Sequence, residues 1–257
     1  MTRGYAEFEL DLPKALLREL THVLENLPPA PLTAEAVADL PRRQGVYQLL
    51  LGDADDHEVI YIGKTDAASG LRERLQKHHK KIQHRHGLAP ERVLFRAVRV
   101  FVFTAVDLEA LLIGAEKQRA KALWNGSGFG AKDPGKERDT TRYKPEHFDT
   151  WYPIDIDRPL DEGFPTQASA AALVQALKRQ LPYVFRVQGA DEGSGPHDDL
   201  LATPITLEGP LTARAALGQI LARLPAGWHA TKLPSHVIMY KNDDRKFPSG
   251  ELIGASR

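Results

Sequence analysis

Two tyrosines stand in short apolar segments joined by an acidic turn: Tyr47 in GVYQLLL (45–51) and Tyr61 in VIYIGK (59–64), with GDADDHE nearby between them. Both segments are rich in β-branched and aromatic residues, so the stretch reads as an antiparallel hairpin. Neighbouring strands lie about 4.8 Å apart, and a hairpin can bring two phenol hydroxyls to one edge of a site, where both reach a phosphate or a water. Further on, Arg74 and His78 are four apart in the basic segment LRERLQKHHKKIQ (71–83), so on a helix they share a face. A guanidinium there can hold a phosphate while an imidazole takes or relays a proton. Tyrosine is a weak base at its reference pKa of about 10, so proton abstraction by Tyr47 needs nearby positive charge, which Lys64 and Arg74 can supply.

A carboxylate for a hard cation is offered by Glu109 or Glu116, seven apart on one face of the expected helix DLEALLIGAEKQRAKAL (107–123). Mg²⁺, or Mn²⁺ in its place, keeps most of its waters and needs only one or two carboxylates, so one ion per active site suffices. Asn125 follows in WNGSGFG, where asparagine is also a common helix C-cap.

Taken in order, Gly45-Val46-Tyr47, Tyr61-Ile62-Gly63-Lys64, Arg74 with His78, Glu109, Asn125, Gly128 to Gly130 and Asp133 to Gly135 resemble the GIY-YIG nuclease family. Within it the chain is most similar to the type II restriction endonuclease branch, over about residues 40–150. The resemblance implies a divalent-metal-dependent DNA endonuclease with Tyr47, Tyr61, Lys64, Arg74, His78 and Asn125 as catalytic residues. It implies Glu109 as the metal ligand, through its register with Leu112 and Ile113, with Glu116 as the alternative. A water deprotonated by Tyr47 or His78 would attack the phosphate in line.

The formal net charge of zero hides a separation: residues 64–144 carry 18 Lys and Arg against 9 Asp and Glu, while the flanking segments are acidic. Such a block is the electrostatic footprint of a protein that neutralises phosphates. Lys77, Lys80 and Lys81 on the basic helix, and Lys132, Lys136, Arg138 and Arg142 in GFGAKDPGKERDTTRYK beside Phe129 and Tyr143, are the candidate contacts to double-stranded DNA. Base contacts specify and phosphate contacts position, and the sequence does not sort these cations into the two kinds. Gly130 to Glu137 nearly spells a P-loop, but Glu137 replaces the Ser or Thr that would hold Mg²⁺, and a helix precedes it.

The elements that must position these residues give an α+β expectation: a small antiparallel three-stranded sheet flanked by helices, plus a C-terminal α/β unit. Residues 1–40 form a helical lead-in, with a helix over 12–27 ended by PPAPL. Residues 41–151 form the nuclease-like domain, its third strand within 91–103. A proline-rich linker near 152–167 leads to an appendage at 168–257. That appendage has helices at 169–180 and 212–224, strands at 183–187, near His229 and at 237–240, and the disorder-prone GADEGSGPHDD. Lys241, Arg245 and Lys246 sit at a turn there, equally consistent with touching DNA, dimerisation or a partner surface.

With 257 residues, 42% hydrophobic and 26% charged, the chain is of ordinary globular composition, and no apolar run approaches the roughly 18 residues of a membrane span. Zero cysteines exclude disulfides, thiolate zinc sites and cysteine nucleophiles. A cytoplasmic, restriction-type host-defence enzyme is the expectation, with a homodimer or pairing on DNA if it cuts a palindrome, and a methyltransferase or defence-system partner. The alternatives are a structure-selective or repair nuclease of the same family, and a DNA-binding subunit of a defence complex that cuts only with its partner.

Overall fold

The computed structural model describes residue 4 and residues 7–65, 68–101, 112–114, 122–130, 136–189 and 195–256. The chain divides into two compact units, Met1–His79 with Ala89–Gly126, and Lys80–Leu88 with Ser127–Arg257. The class is α+β. No helix among the described residues is long and apolar enough to cross a membrane.

The first unit runs α1 (Leu12–Asn26), β1 (Ala30–Pro31), α2 (Ala34–Ala38), β2 (Gly45–Gly52), β3 (His57–Lys64), α3 (Gly70–Ile82) and β4 (Val93–Arg99), the last turn of α3 grouping with the second unit. Asp11 caps α1 by accepting from the Lys14 amide, and Thr33 caps α2 in the same way through the Ala36 amide. The strands form one antiparallel sheet in the order β1-β4-β2-β3. The expected three strands are joined by β1, where PPAPL does more than stop a helix. Its proline sits on an edge strand, a place where the missing N–H costs nothing.

Strand alternation splits the sheet into two faces. Val46, Ile62, Val59 and Val98 pack with Leu16, Leu17, Leu20 and Leu24 of α1, and with Leu112. Tyr47 and Gly45 lie on the other face, toward α3: a β-carbon on Gly45 would come within 2.8 Å of Leu71 Cδ1 and would overlap the Val98 carbonyl. Glycine is required there because the strand and helix leave no room for a side chain.

The β2–β3 register carries a slip that decides the site. Leu50 pairs with Val59, but Leu49 pairs with Tyr61, leaving Ile60 as an extra residue. Without this bulge Tyr61 would face Leu24 and the α1 side, because a one-residue shift turns every side chain to the opposite face. The bulge puts Tyr61 on the face of Tyr47.

The expected strand over 91–103 is β4 preceded by a 3₁₀ turn at Pro90–Arg92. Of the expected helix over 107–123, residues 112–114 are described and helical; Glu109 and Glu116 lie outside the described residues.

The second unit contains α4 (Phe148–Trp151), β5 (Gln167–Ser169), α5 (Ala170–Gln180), β6 (Val184–Val187), α6 (Asp198–Ala202), β7 (Pro204–Thr206), α7 (Ala213–Leu221), β8 (Trp228–Lys232), β9 (His236–Lys241) and β10 (Glu251–Ala255). Its main sheet has the order β10-β8-β9-β6, with β6 parallel to β9 and the other pairs antiparallel. The apolar stripes of α5 (Leu173, Val174, Leu177) and α7 (Leu217, Ile220, Leu221) bury against it. Ser169 and Thr212 cap these helices, and Lys178 and Arg179 sit in the last turn of α5, where the helix dipole favours them. Residues 152–167, expected as a linker, contribute Ile154 and Ile156 to this core. Two residues apart, they turn the same way from an extended chain, a pattern the surrounding prolines and acids conceal. The helix α6 begins within GADEGSGPHDD, capped by His197 through the Asp199 amide.

Candidate active site

Tyr47 lies opposite Gly63, and Tyr61 opposite Leu49, so the two tyrosines are diagonal neighbours on one face with ring centroids 6.1 Å apart. A β-carbon on Gly63 would overlap the Oη and Cζ of Tyr47, so this glycine is what lets the Tyr47 ring lie across β3. Thr65 locks the open end of the hairpin: its Oγ1 accepts from the Gly45 amide at 2.9 Å, and its own amide donates to the Gly45 carbonyl at 2.9 Å. Each glycine and tyrosine of the two motifs thus has a packing reason.

The helix α3 lays Arg74 and His78 over this pair. Arg74 Nε donates to Tyr47 Oη at 3.1 Å, and Tyr47 Oη lies 2.8 Å from His78 Nε2. Both tyrosine rings pack against the imidazole, with centroids 5.5 Å (Tyr47) and 5.2 Å (Tyr61) away. Tyr47, Tyr61 and His78 are buried, while Arg74 is half-buried. With Arg74 donating to its oxygen, the Tyr47 hydroxyl keeps its own proton to donate, and His78 Nε2 lies within reach of it. Burial, then the adjacent Tyr61, push the Tyr47 phenol above its ordinary range, and the hydrogen bond and charge of Arg74 offset only part of this. Tyr47 is therefore a neutral hydroxyl between a cation and an imidazole. Such an arrangement can pass a proton through the hydroxyl to His78 without forming a stable phenolate.

The cation that acts on Tyr47 is Arg74. Lys64 pairs with Val46, and strand alternation assigns it to the face packed against α1. The Asn125 side chain grips the backbone of Ile62, accepting from its N–H at 2.8 Å and donating to its carbonyl at 2.9 Å. Next to it the Trp124 amide donates to Ile60 O at 2.7 Å, and the Ala122 amide to Val59 O at 2.6 Å. Residues 122–125 therefore cover the outer edge of β3 along the bulge that turns Tyr61 inward. Asn125 holds the strand that carries the tyrosine.

The expected DNA-contacting residues divide in the structure. Lys77 and Lys80 are exposed on α3. Lys81 instead donates to the carbonyl of Gly128 at 3.0 Å and to that of Phe129, and lies over the Phe129 and Phe148 rings. Phe129 and Tyr143, expected beside DNA, are buried. Arg142 is exposed and Arg138 half-buried, while Lys132 and the Lys136 side chain lie outside the described residues. Among the described residues no group of three or more His, Cys, Asp or Glu gathers where it could hold a metal ion.

One cluster had no sequence signal. In the second unit Asp139 is fully buried and accepts from Arg186 on β6 and from Tyr240 Oη on β9 at 3.0 Å, and it lies 2.7 Å from His236 Nε2. Burial alone would raise its carboxyl, but His236, Arg186 and Tyr240 together hold it below the ordinary carboxylate range. Ser235 Oγ lies 2.7 Å from the other nitrogen of His236 and 2.6 Å from Tyr143 Oη. The segment 136–144 is thereby fastened to β6 and β9. No protein-family model matches this chain, and no curated protein matches it.

Proposed function

We propose that the chain is a divalent-metal-dependent DNA endonuclease of the GIY-YIG kind, hydrolysing phosphodiester bonds in double-stranded DNA. The observation that carries the reading is the convergence of Arg74 and His78 on the Tyr47 hydroxyl, with Tyr61 alongside on the same sheet face. A cation, two hydroxyls and an imidazole at hydrogen-bonding distance are what in-line attack of water on a phosphodiester needs. Arg74 holds the scissile phosphate and its developing charge. Tyr47 takes the proton of the attacking water as it gives its own to His78, which avoids the phenolate that burial disfavours. Tyr61 orients the phosphate or the water from the neighbouring position, and Asn125 keeps β3 in register.

Glu109, or Glu116 in its place, would offer the hard oxygen that Mg²⁺ or Mn²⁺ prefers, and such an ion would supply further neutralisation of the phosphate charge. The restriction-type reading rests on the order of the motifs through WNGSGFG. Cutting both strands of a palindrome would require two copies of the chain on one site.

The test is incubation of supercoiled plasmid with the purified protein and Mg²⁺ or Mn²⁺, beside an EDTA control. Metal-dependent conversion to linear DNA or to discrete fragments is expected. Intact plasmid with every divalent cation tried would refute an autonomous nuclease.

A further inference from the structure

The basic arm at residues 136–144 is anchored twice. The Asp139 network fixes it on β6 and β9 through Arg186, His236 and Tyr240. Four residues later Tyr143 is buried among Leu233, Ile238 and Tyr240, its amide donating to Ser249 Oγ at 3.0 Å. Immediately before the first anchor stands Arg138, and its guanidinium lies 4.0 Å from the centroid of the ring of the second, Tyr143.

Other arginines of this unit spend their forks on carboxylates: Arg186 on Asp139, Arg214 on Asp157 and Glu251, Arg245 on Asp243. Arg138 forms no ion pair among the described residues, and its contacts there are with Tyr143, the ring and the hydroxyl. A guanidinium laid on an aromatic face keeps its N–H edge directed sideways, in a planar fork that matches two adjacent acceptors. In duplex DNA the O6 and N7 of guanine present such a pair in the major groove.

A phosphate contact needs charge near the backbone and little direction. The exposed Arg142 and Lys144 supply that without any stacking partner in the arm. Arg138 differs because the residue after it, Asp139, and the ring it stacks on, Tyr143, are both held by hydrogen bonds to the sheet strands and their flanks, so the direction of its fork is set before DNA arrives. Preorganisation of that kind serves discrimination between bases.

We propose that Arg138 is a specificity-determining residue that reads a guanine edge, and that Arg142 and Lys144 contact phosphates. This rests on the nuclease reading for the identity of the ligand as duplex DNA. The test is selection of bound duplexes from a random-sequence library without divalent cation, so that cleavage does not enter, followed by titration of the enriched and unselected pools.

Wild type is expected to enrich a motif containing at least one invariant G·C pair. R138A and R138K should retain affinity for unselected duplex and lose roughly 5- to 150-fold preference at one base pair, the lysine restoring charge but not the fork. R142A should instead weaken binding to all sequences alike and reduce the salt slope by about one unit. An R138K selection that keeps the wild-type motif, or an R138A protein weakened equally on every sequence, would overturn the inference while leaving the nuclease reading intact. A wild type that binds no duplex DNA would remove the nuclease reading itself and the inference with it.

Discussion

The Tyr47 hydroxyl lies 2.8 Å from His78 Nε2 and accepts a hydrogen bond from Arg74, so one buried oxygen joins the residues best suited to move a proton and to hold a phosphate. If Tyr47 and His78 relay one proton, their removal is not additive. Y47F and H78A should each lower the single-turnover rate of DNA cleavage by roughly 10²–10⁴. The double variant should be little worse than either. Rate losses that multiply would assign the two residues to separate steps.

Alkaline stability gives an independent reading of Tyr47. Its folded pKa lies above the ordinary value because burial and Tyr61 disfavour the phenolate. The unfolded chain therefore ionises first, so this contribution is complete below about pH 10 and is lost as pH rises further. Y47F should flatten the fall of melting temperature with pH in that range. An unchanged alkaline limb would mean the hydroxyl is not buried as described.

Gly63 and Asn125 test how the site is positioned. G63A forces a methyl group onto the Tyr47 ring and should cost about 1–3 kcal/mol of stability by overpacking, with cleavage reduced further than stability alone explains. N125A removes both hydrogen bonds to Ile62 and should cost about 1–3 kcal/mol. Its specific signature is faster hydrogen exchange of the Ile62 amide. A cleavage defect with unaltered Ile62 protection would give Asn125 a role in the chemistry instead.

Acid titration addresses the second unit. Asp139 has its folded pKa depressed by His236, Arg186 and Tyr240, so it contributes stability above its unfolded value of about 3.9 that is lost as pH falls through the folded one. D139N should flatten that acid limb. At neutral pH it should destabilise the protein by about 3–5 kcal/mol, because Arg186 is left buried without its carboxylate. An acid limb as steep as wild type would place the titrating group elsewhere.

The grouping of Tyr47, Tyr61, Arg74 and His78 was legible because their spacing is local. Arg74 and His78 need only a helix to share a face, and the two tyrosines need only a hairpin. What the hairpin conceals is the extra residue at Ile60, since bulges carry no compositional mark, and it decides which face Tyr61 occupies. Strand alternation at Lys64 then follows from the same register. Lys81 reads as a surface cation until Gly128 and Phe129 bring their carbonyls to it from residues 47 and 48 positions away. The Asp139 network was beyond sequence reasoning for the same reason: its partners Arg186 and His236 lie 47 and 97 residues on, and a single buried aspartate in a basic loop looks like any solvated acid. Ile154 and Ile156 were hidden by composition, because prolines and acids around them mark a linker while the pair itself turns inward.

The most direct test of the site is Arg74→Ala, with cleavage and binding of duplex DNA measured side by side in Mg²⁺. Wild type should cut, and the variant should bind nearly as well while its rate falls by about 10²–10³, the usual cost of removing one donor aimed at developing charge. Equal cleavage by wild type and variant would contradict the assignment of the phosphate to Arg74.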